Sequence, residues 1–154
     1  MRFLKLIKSV KNGRFLMIGS GEIDYHMVYI DDLVDGILLC GEKEEAVGNI
    51  YILAGEEIVK LNRLVQIISD LVGTQPPRFK VPFKPVYLAG HLCEIVCKPF
   101  GISPPIFRRR VDFFRKTRSF DISKAKNGLG YQPKVNLETG LKRTIDWYTK
   151  EGLL

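Results

Sequence analysis

The densest chemistry in these 154 residues is a run of basic side chains, Arg108-Arg109-Arg110 followed by Arg115, Lys116 and Arg118. A guanidinium is a planar fork that makes paired, charge-assisted hydrogen bonds to phosphate or carboxylate oxygens, so the run can hold a small anion. Two other readings stay open. One is a solvated helix surface; the other, disfavoured because the run is short and no recognised module surrounds it, is contact with nucleic acid. Gly19-Ser20-Gly21 is a close glycine pair behind an apolar run. A dinucleotide fingerprint needs a third glycine opening a helix and an acidic residue about 20 positions later, whereas Glu22-Ile23-Asp24, which is turn material, follows here. No Gly-Lys-Ser/Thr phosphate loop occurs. His26 and His91 are the two histidines, and spacing nominates no Ser, Cys or carboxylate partner for either. Asp31-Asp32 stands just before an apolar helical pattern, which favours helix capping and dipole stabilisation over a metal or acid pair. Cys93 and Cys97 are one helical turn apart, but no His or further Cys near them completes a four-ligand set; with Cys40 they read as buried apolar thiols.

The elements that must position these groups follow from periodicity. Phe3, Leu6, Ile7 and Val10 recur at spacings of three and four, which predicts a helix over residues 3–11 closed by Asn12-Gly13. Residues 15–18 form a short strand and residues 26–30 a second, leading into a helix carrying Leu33, Val34, Ile37 and Leu38. Residues 49–55 read as another strand, before a helix over 61–72 that Gly73 and Pro76-Pro77 stop. Prolines bracket an apolar helix over 86–96, residues 106–114 read as a basic helix, and residues 119–121 as extended. Asp121 or Ser123 starts a short helix ending at Gly128-Leu129-Gly130, and Asn136 caps a last one over 137–150. Alternating strands and helices give an α/β class. Only four or five convincing strands are present, too few for a self-sufficient doubly wound parallel sheet, so completion from outside is expected.

With 45% apolar residues the chain can bury a core, and a formal charge of +7 interspersed with acids excludes the composition of a disordered tail. No apolar stretch of about 18 residues suggests a membrane span, and the charged start does not read as a signal peptide. The odd cysteine count without a disulfide spacing fits a reducing compartment. These features predict a cytoplasmic protein with no membrane partner.

Several ordered stretches together resemble one family, the extended short-chain dehydrogenase/reductases, and within it the NAD-dependent epimerase/dehydratase group acting on nucleotide sugars. They are Gly-Ser-Gly with His-Met-Val-Tyr-Ile-Asp-Asp-Leu-Val-Asp-Gly at 19–36, Gly-Asn-Ile-Tyr-Ile-Leu-Ala-Gly at 48–55, Leu61-Asn62-Arg63-Leu64-Val65, the Phe-Asp-Ile-Ser-Lys-Ala-Lys run at 120–126 with Leu-Gly-Tyr-Gln-Pro at 129–133, and 137–148 ending in Ile-Asp-Trp-Tyr. They span nearly the whole chain yet resemble only the C-terminal half of such an enzyme. The resemblance implies the substrate-binding portion of an extended Rossmann-type fold as a single region over 1–154, with residues 49–55 as the last strand of the Rossmann sheet and the N-terminal NAD-binding region absent.

What the resemblance implies about function is correspondingly partial. The intact family enzyme uses NAD, an N-terminal Gly-rich turn, and a Tyr-x-x-x-Lys pair with Ser or Thr. Here the residues four places after Tyr25, Tyr29, Tyr51, Tyr87, Tyr131 and Tyr148 are Tyr, Leu, Gly, His, Val and Gly. No catalytic residue is therefore expected in this chain, nor NAD binding by it alone. By the family pattern Phe15, Leu16, Met17 and Ile18 present backbone groups to the nucleotide base. Arg110, or Arg109 if the alignment slips by one, contacts the diphosphate. A second diphosphate arginine falls where this chain has Tyr25, which leaves room for a sterol-like or other hydroxy substrate. The expected identity is the substrate-binding part of a UDP-glucose 4-epimerase-like enzyme, as a fragment, a shortened gene product or one half of a split enzyme, whose partner is the missing N-terminal half or a second copy. A non-enzymatic nucleotide-sugar-binding or docking module is the alternative.

Overall fold

The computed structural model describes residues 2–77, 79–101 and 114–154. The region expected to be single folds as two compact units, residues 1–23 with 60–117 and residues 24–59 with 118–154. The predicted basic helix over 106–114 lies outside the described residues except for Phe114.

In the first unit, α1 (Arg2–Lys11) and α3 (Leu61–Val72) pack together. Their apolar positions recur with the helical period, so each helix presents one stripe, and burying Ile7 and Val10 with Leu61, Leu64, Val65, Ile67 and Ile68 removes both stripes from water. α3 ends at Gly73, whose φ of 70° lets the chain turn back so that the Thr74 N–H donates to the Ser69 carbonyl at 2.9 Å. Beside them β1 (Met17–Ile18) pairs in parallel with β4 (Lys80–Val81), Met17 opposite Lys80 and Ile18 opposite Val81. The helix predicted over 86–96 is longer, α4 (Phe83–Cys97), because Pro85 falls in its first turn, where no intrahelical N–H is required.

In the second unit, β2 (Asp24–His26) pairs with β3 (Ile58–Lys60). β3 carries no clear alternation and the sequence reading missed it. The strand expected over 26–30 is displaced: β2 ends at His26 and α2 (Ile30–Glu42) begins at Ile30. Residues 49–55, also expected as a strand, form no ladder among the described residues. They are held instead by the Gly55 N–H donating to the Met27 carbonyl at 2.9 Å, and by Tyr51, Leu53 and Ala54 packing on Ile122, Ala125 and Tyr131. Gly55 is required there because an added Cβ would run into the Met27 carbonyl oxygen.

The C-terminal helices follow the sequence closely. In α5 (Ser123–Leu129), Asp121 accepts from the Ser123 N–H at 2.8 Å, and the Ser123 side-chain and backbone hydrogen bonds hold its carboxyl below the ordinary carboxylate value. Asn136 caps α6 (Leu137–Lys150) by accepting from the Thr139 N–H at 2.9 Å. α6 buries Leu141, Ile145 and Tyr148.

Asp32 departs from its expected role. Tyr29 occupies the cap position of α2 with no side-chain hydrogen bond, while Asp31 and Asp32 both stay as first-turn acids. Asp32 is 2% exposed and turns inward, where its two oxygens accept from the Lys134 N–H at 2.9 Å and the Val135 N–H at 3.0 Å. The reason is energetic: two otherwise unpaired backbone donors at the entry to α6 gain charge-assisted partners, which outweighs a solvent-exposed cap. Replacing Asp32 by Ala is expected to lower stability by about 3 kcal/mol, because it strands both donors. Asn136→Ala removes one cap and costs about 1 kcal/mol. Urea unfolding of the two variants checks the order, and an Asp32→Ala loss no larger than that of Asn136→Ala would refute this role.

Candidate functional site

Phe15, Leu16, Met17 and Ile18 lie along the entry to and body of β1 in the first unit. Alternation along an extended chain sends Phe15 and Met17 to one face and Leu16 and Ile18 to the other. Met17 is buried, Phe15 and Ile18 are half-buried, and Leu16 is exposed. The Phe15 ring lies 6.2 Å from that of Phe114 and lines a cavity of about 310 Å³ with Val10, Gly13, Gln75, Pro76, Pro77 and Phe79. β4 occupies one edge of β1 in a two-stranded sheet, so any base read by the backbone of β1 would meet its other edge.

The Gly19-Ser20-Gly21 segment is a turn, with φ of 80° at Gly19 and 76° at Gly21. Its groups are engaged within the fold: the Gly19 N–H donates to the Val81 carbonyl at 2.8 Å, and the Gly21 carbonyl accepts from the Asn62 N–H at 3.0 Å. The next element is β2 rather than a helix, so the turn does not aim helical N–H groups at a phosphate.

Tyr25 falls in the second unit, 8% exposed in the middle of β2. There the structure brings in a residue that the sequence had placed only in the basic run. Arg118 forms a parallel bridge with Tyr25, and its N–H donates to the Asp24 carbonyl at 2.8 Å. Its Nη1 donates to the Tyr25 Oη at 2.8 Å, and its guanidinium carbon stands 5.3 Å from the centre of the Tyr25 ring. Burial pushes the Tyr25 hydroxyl up to about 12, against the opposing pull of the Arg118 charge and hydrogen bond. A cation thus sits at the position where the family resemblance expects an arginine and the sequence has tyrosine. Spacing gave no signal of it, since the two residues are 93 apart. Arg109 and Arg110 lie outside the described residues.

His26 is a brace joining three segments. Its Nε2 lies 2.7 Å from the Gly55 carbonyl, and its Nδ1 lies 3.2 Å from the Phe120 N–H. The backbone N–H can only donate, so Nδ1 accepts and Nε2–H donates, which fixes the neutral tautomer. Its ring also stacks on Phe120 at 6.3 Å. Cys93 and Cys97 are half-buried rather than buried, with their sulfurs 3.9 Å apart. Among the described residues no group of three or more His, Cys, Asp and Glu is placed to hold a metal ion, and no helix is long and apolar enough to cross a membrane.

No protein-family model matches the chain. Among curated proteins it is 33% identical over 153 residues to the uncharacterized protein y4nL of Sinorhizobium fredii (strain NBRC 101917 / NGR234), covering 94% of this chain and 42% of that one. It is 29% identical to the Arabidopsis thaliana 3beta-hydroxysteroid-dehydrogenase/decarboxylase isoform 1, covering 94% and 36%. To the UDP-glucuronate 4-epimerase of Thermodesulfobacterium geofontis (strain OPF15) it is 27% identical, covering 99% and 38%. Of solved structures, gox2253 superposes with a TM-score of 0.76 at 26% identity, over 100% of this chain and 45% of that one. The fold is also that of the Bacillus cereus UDP-glucuronic acid 4-epimerase in complex with UDP-glucuronic acid and NAD, with a TM-score of 0.66 at 20% identity over 98% and 40%. The chain spans less than half the length of each. Its relatives and structural neighbours are short-chain dehydrogenase/reductase enzymes. More narrowly, the chain matches the C-terminal portion of the NAD-dependent epimerase/dehydratase group, whose structures are solved with NAD bound.

The Tyr25 environment sets a pH dependence. A tyrosine titrates near 10 in the unfolded chain, whereas burial holds both Tyr25 and Tyr131 near 12 in the folded one, helped at Tyr131 by the negative charges of Asp32 and Asp35. Between those values the unfolded chain has lost protons that the folded chain keeps. The stabilisation is therefore fully present below about pH 10 and lost as pH rises towards 12. Urea midpoints measured across this window are expected to fall, and to fall less in Tyr25→Phe. An unchanged slope in that variant would count against the burial of its hydroxyl.

Proposed function

We propose that this chain supplies the substrate-binding part of an NAD-dependent nucleotide-sugar epimerase or dehydratase and is not catalytically competent alone. The observation that carries the proposal is the pairing of coverages: 94–99% of this chain aligns with about 36–42% of full-length relatives. A Tyr-x-x-x-Lys pair is also missing from the sequence. Exposed apolar residues support an absent complement. On α2, Ile30, Val34, Ile37 and Leu38 share one exposed face, and Ile50 and Ile52 are exposed on alternate positions of the 49–55 segment. These are the groups that would add to a sheet and its flanking layer if the remaining portion were present. In this reading NAD is carried by that portion, which performs the hydride chemistry. In this reading the present chain contributes substrate binding through the edge of residues 15–18 and Arg110 or Arg109.

Tyr25 favours a second reading. A tyrosine in place of a diphosphate arginine, with its hydroxyl already held by Arg118, suits a hydroxysteroid-like substrate, the class named for the Arabidopsis relative. Calorimetric titration with UDP and UDP-glucose, beside a 3β-hydroxysteroid, separates the two. UDP binding that Arg110→Ala abolishes supports the first, and steroid binding without UDP binding supports the second. Salt-steep DNA or RNA binding with no response to either ligand overturns both.

Mixing the chain with a polypeptide that bears a Gly-rich turn and a Tyr-x-x-x-Lys pair is expected to restore conversion of a nucleotide sugar to its 4-epimer or dehydrated keto-sugar, with NAD regenerated, that neither part shows alone. On its own the chain is expected to be marginally stable. A cooperative, high-temperature unfolding transition in dilute monomer would contradict the need for a complement.

A further inference from the structure

α4 carries a feature that substrate binding in the proposal above does not use. Leu88, Leu92, Ile95 and Val96 are 57%, 55%, 55% and 61% exposed. Their spacing of four, three and one, at about 100° per residue, gathers them within one narrow arc of the helix. Pro85, Ala89 and Pro99 extend the same exposed side. Its two charged borders are both basic, Lys84 before the stripe and Lys98 after it, and both are exposed. The helix's one acid, Glu94, is half-buried on the other side of the wheel.

An exposed stripe of large aliphatic side chains is costly in water, so its occupant must be apolar at the centre and anionic at both ends. A helix of 15 residues is about 22 Å long, short of the roughly 30 Å of a bilayer's hydrocarbon core, so it cannot span one. It can lie in the plane of the interface, with the aliphatic stripe at the acyl boundary and the lysine stems reaching back to the phosphates. The chain's net charge of +7 adds a general attraction to an anionic surface.

We propose that the α4 face is an interfacial docking surface for an anionic lipid bilayer, with Leu88, Leu92, Ile95 and Val96 embedded and Lys84 and Lys98 on the headgroups. This replaces the expectation from sequence that the protein has no membrane partner, and it rests on no assignment of substrate or cofactor.

The test is co-sedimentation of the full chain with vesicles of phosphatidylglycerol and phosphatidylethanolamine, beside pure phosphatidylcholine vesicles. Binding is expected to the anionic vesicles and to be lost in Leu92→Glu/Ile95→Glu. Lys84→Gln/Lys98→Gln is expected to weaken it about thirtyfold, at roughly fivefold for each lysine. Leu92→Ser/Ile95→Ser, a milder change, is followed in parallel, and far-UV circular dichroism confirms that every variant folds. Three results overturn the proposal. The first is no binding to anionic vesicles by the wild-type chain. The second is binding unchanged in the folded Leu92→Ser/Ile95→Ser chain, which would assign the affinity to other basic residues. The third is a dimer in sedimentation equilibrium that the same variant dissociates without any vesicle binding, which would make a second copy the occupant.

Discussion

The buried carboxylate of Asp32 organises the second unit. Taking a charge out of water is costly unless its lone pairs are satisfied, and here the satisfaction comes from the backbone N–H groups of Lys134 and Val135, 102 and 103 residues further on. That clamp fixes α2 against the segment leading into α6. Next to it, Tyr131 is 1% exposed and donates its hydroxyl to the Ala54 carbonyl at 3.0 Å. Ala54 precedes Gly55, whose carbonyl takes the His26 ring, and His26 in turn accepts from Phe120, two residues from Arg118. Short stretches of chain connect these hydrogen bonds to the Tyr25–Arg118 pair.

Tyr25 and Arg118 are held by a backbone bridge and by their mutual hydrogen bond. A protein part that grips a substrate while another part performs the chemistry has no use for an activated acid or base. It needs fixed donors and acceptors and a positioned cation. In the proposed reading Arg118 supplies that cation, its planar fork already directed at the Tyr25 hydroxyl. The ring beneath it and the hydroxyl beside it limit its freedom, which in the proposed reading lowers the entropy lost on binding a ligand.

The two units leave different surfaces uncovered. In the second, the apolar faces of α2 and of residues 49–55 belong to elements that alternate as in a layered α/β fold, and layers of that kind bury both faces. In the first, the α4 stripe is bordered by lysines. The same physical cost, aliphatic carbon in contact with water, is present in both; the surrounding charge distinguishes what can relieve it.

Periodicity alone determined the helices over 61–72 and 137–150 to the residue, because an amphipathic stripe with a glycine stop or an asparagine cap is a local signal. The α/β class was likewise legible, as was the missing Tyr-x-x-x-Lys, which is a matter of identity at fixed spacing. The strands were not legible in the same way. A strand exists only through its partner, so β3 appeared with little pattern of its own while residues 49–55, strongly β-patterned, formed no ladder. Asp32 was read as a cap because the backbone donors it accepts from lie more than 100 residues away. For the same reason Tyr25 looked like a lost arginine until the fold set Arg118 against it. Contacts between distant residues depend on how the chain closes, and only the tertiary structure could decide them.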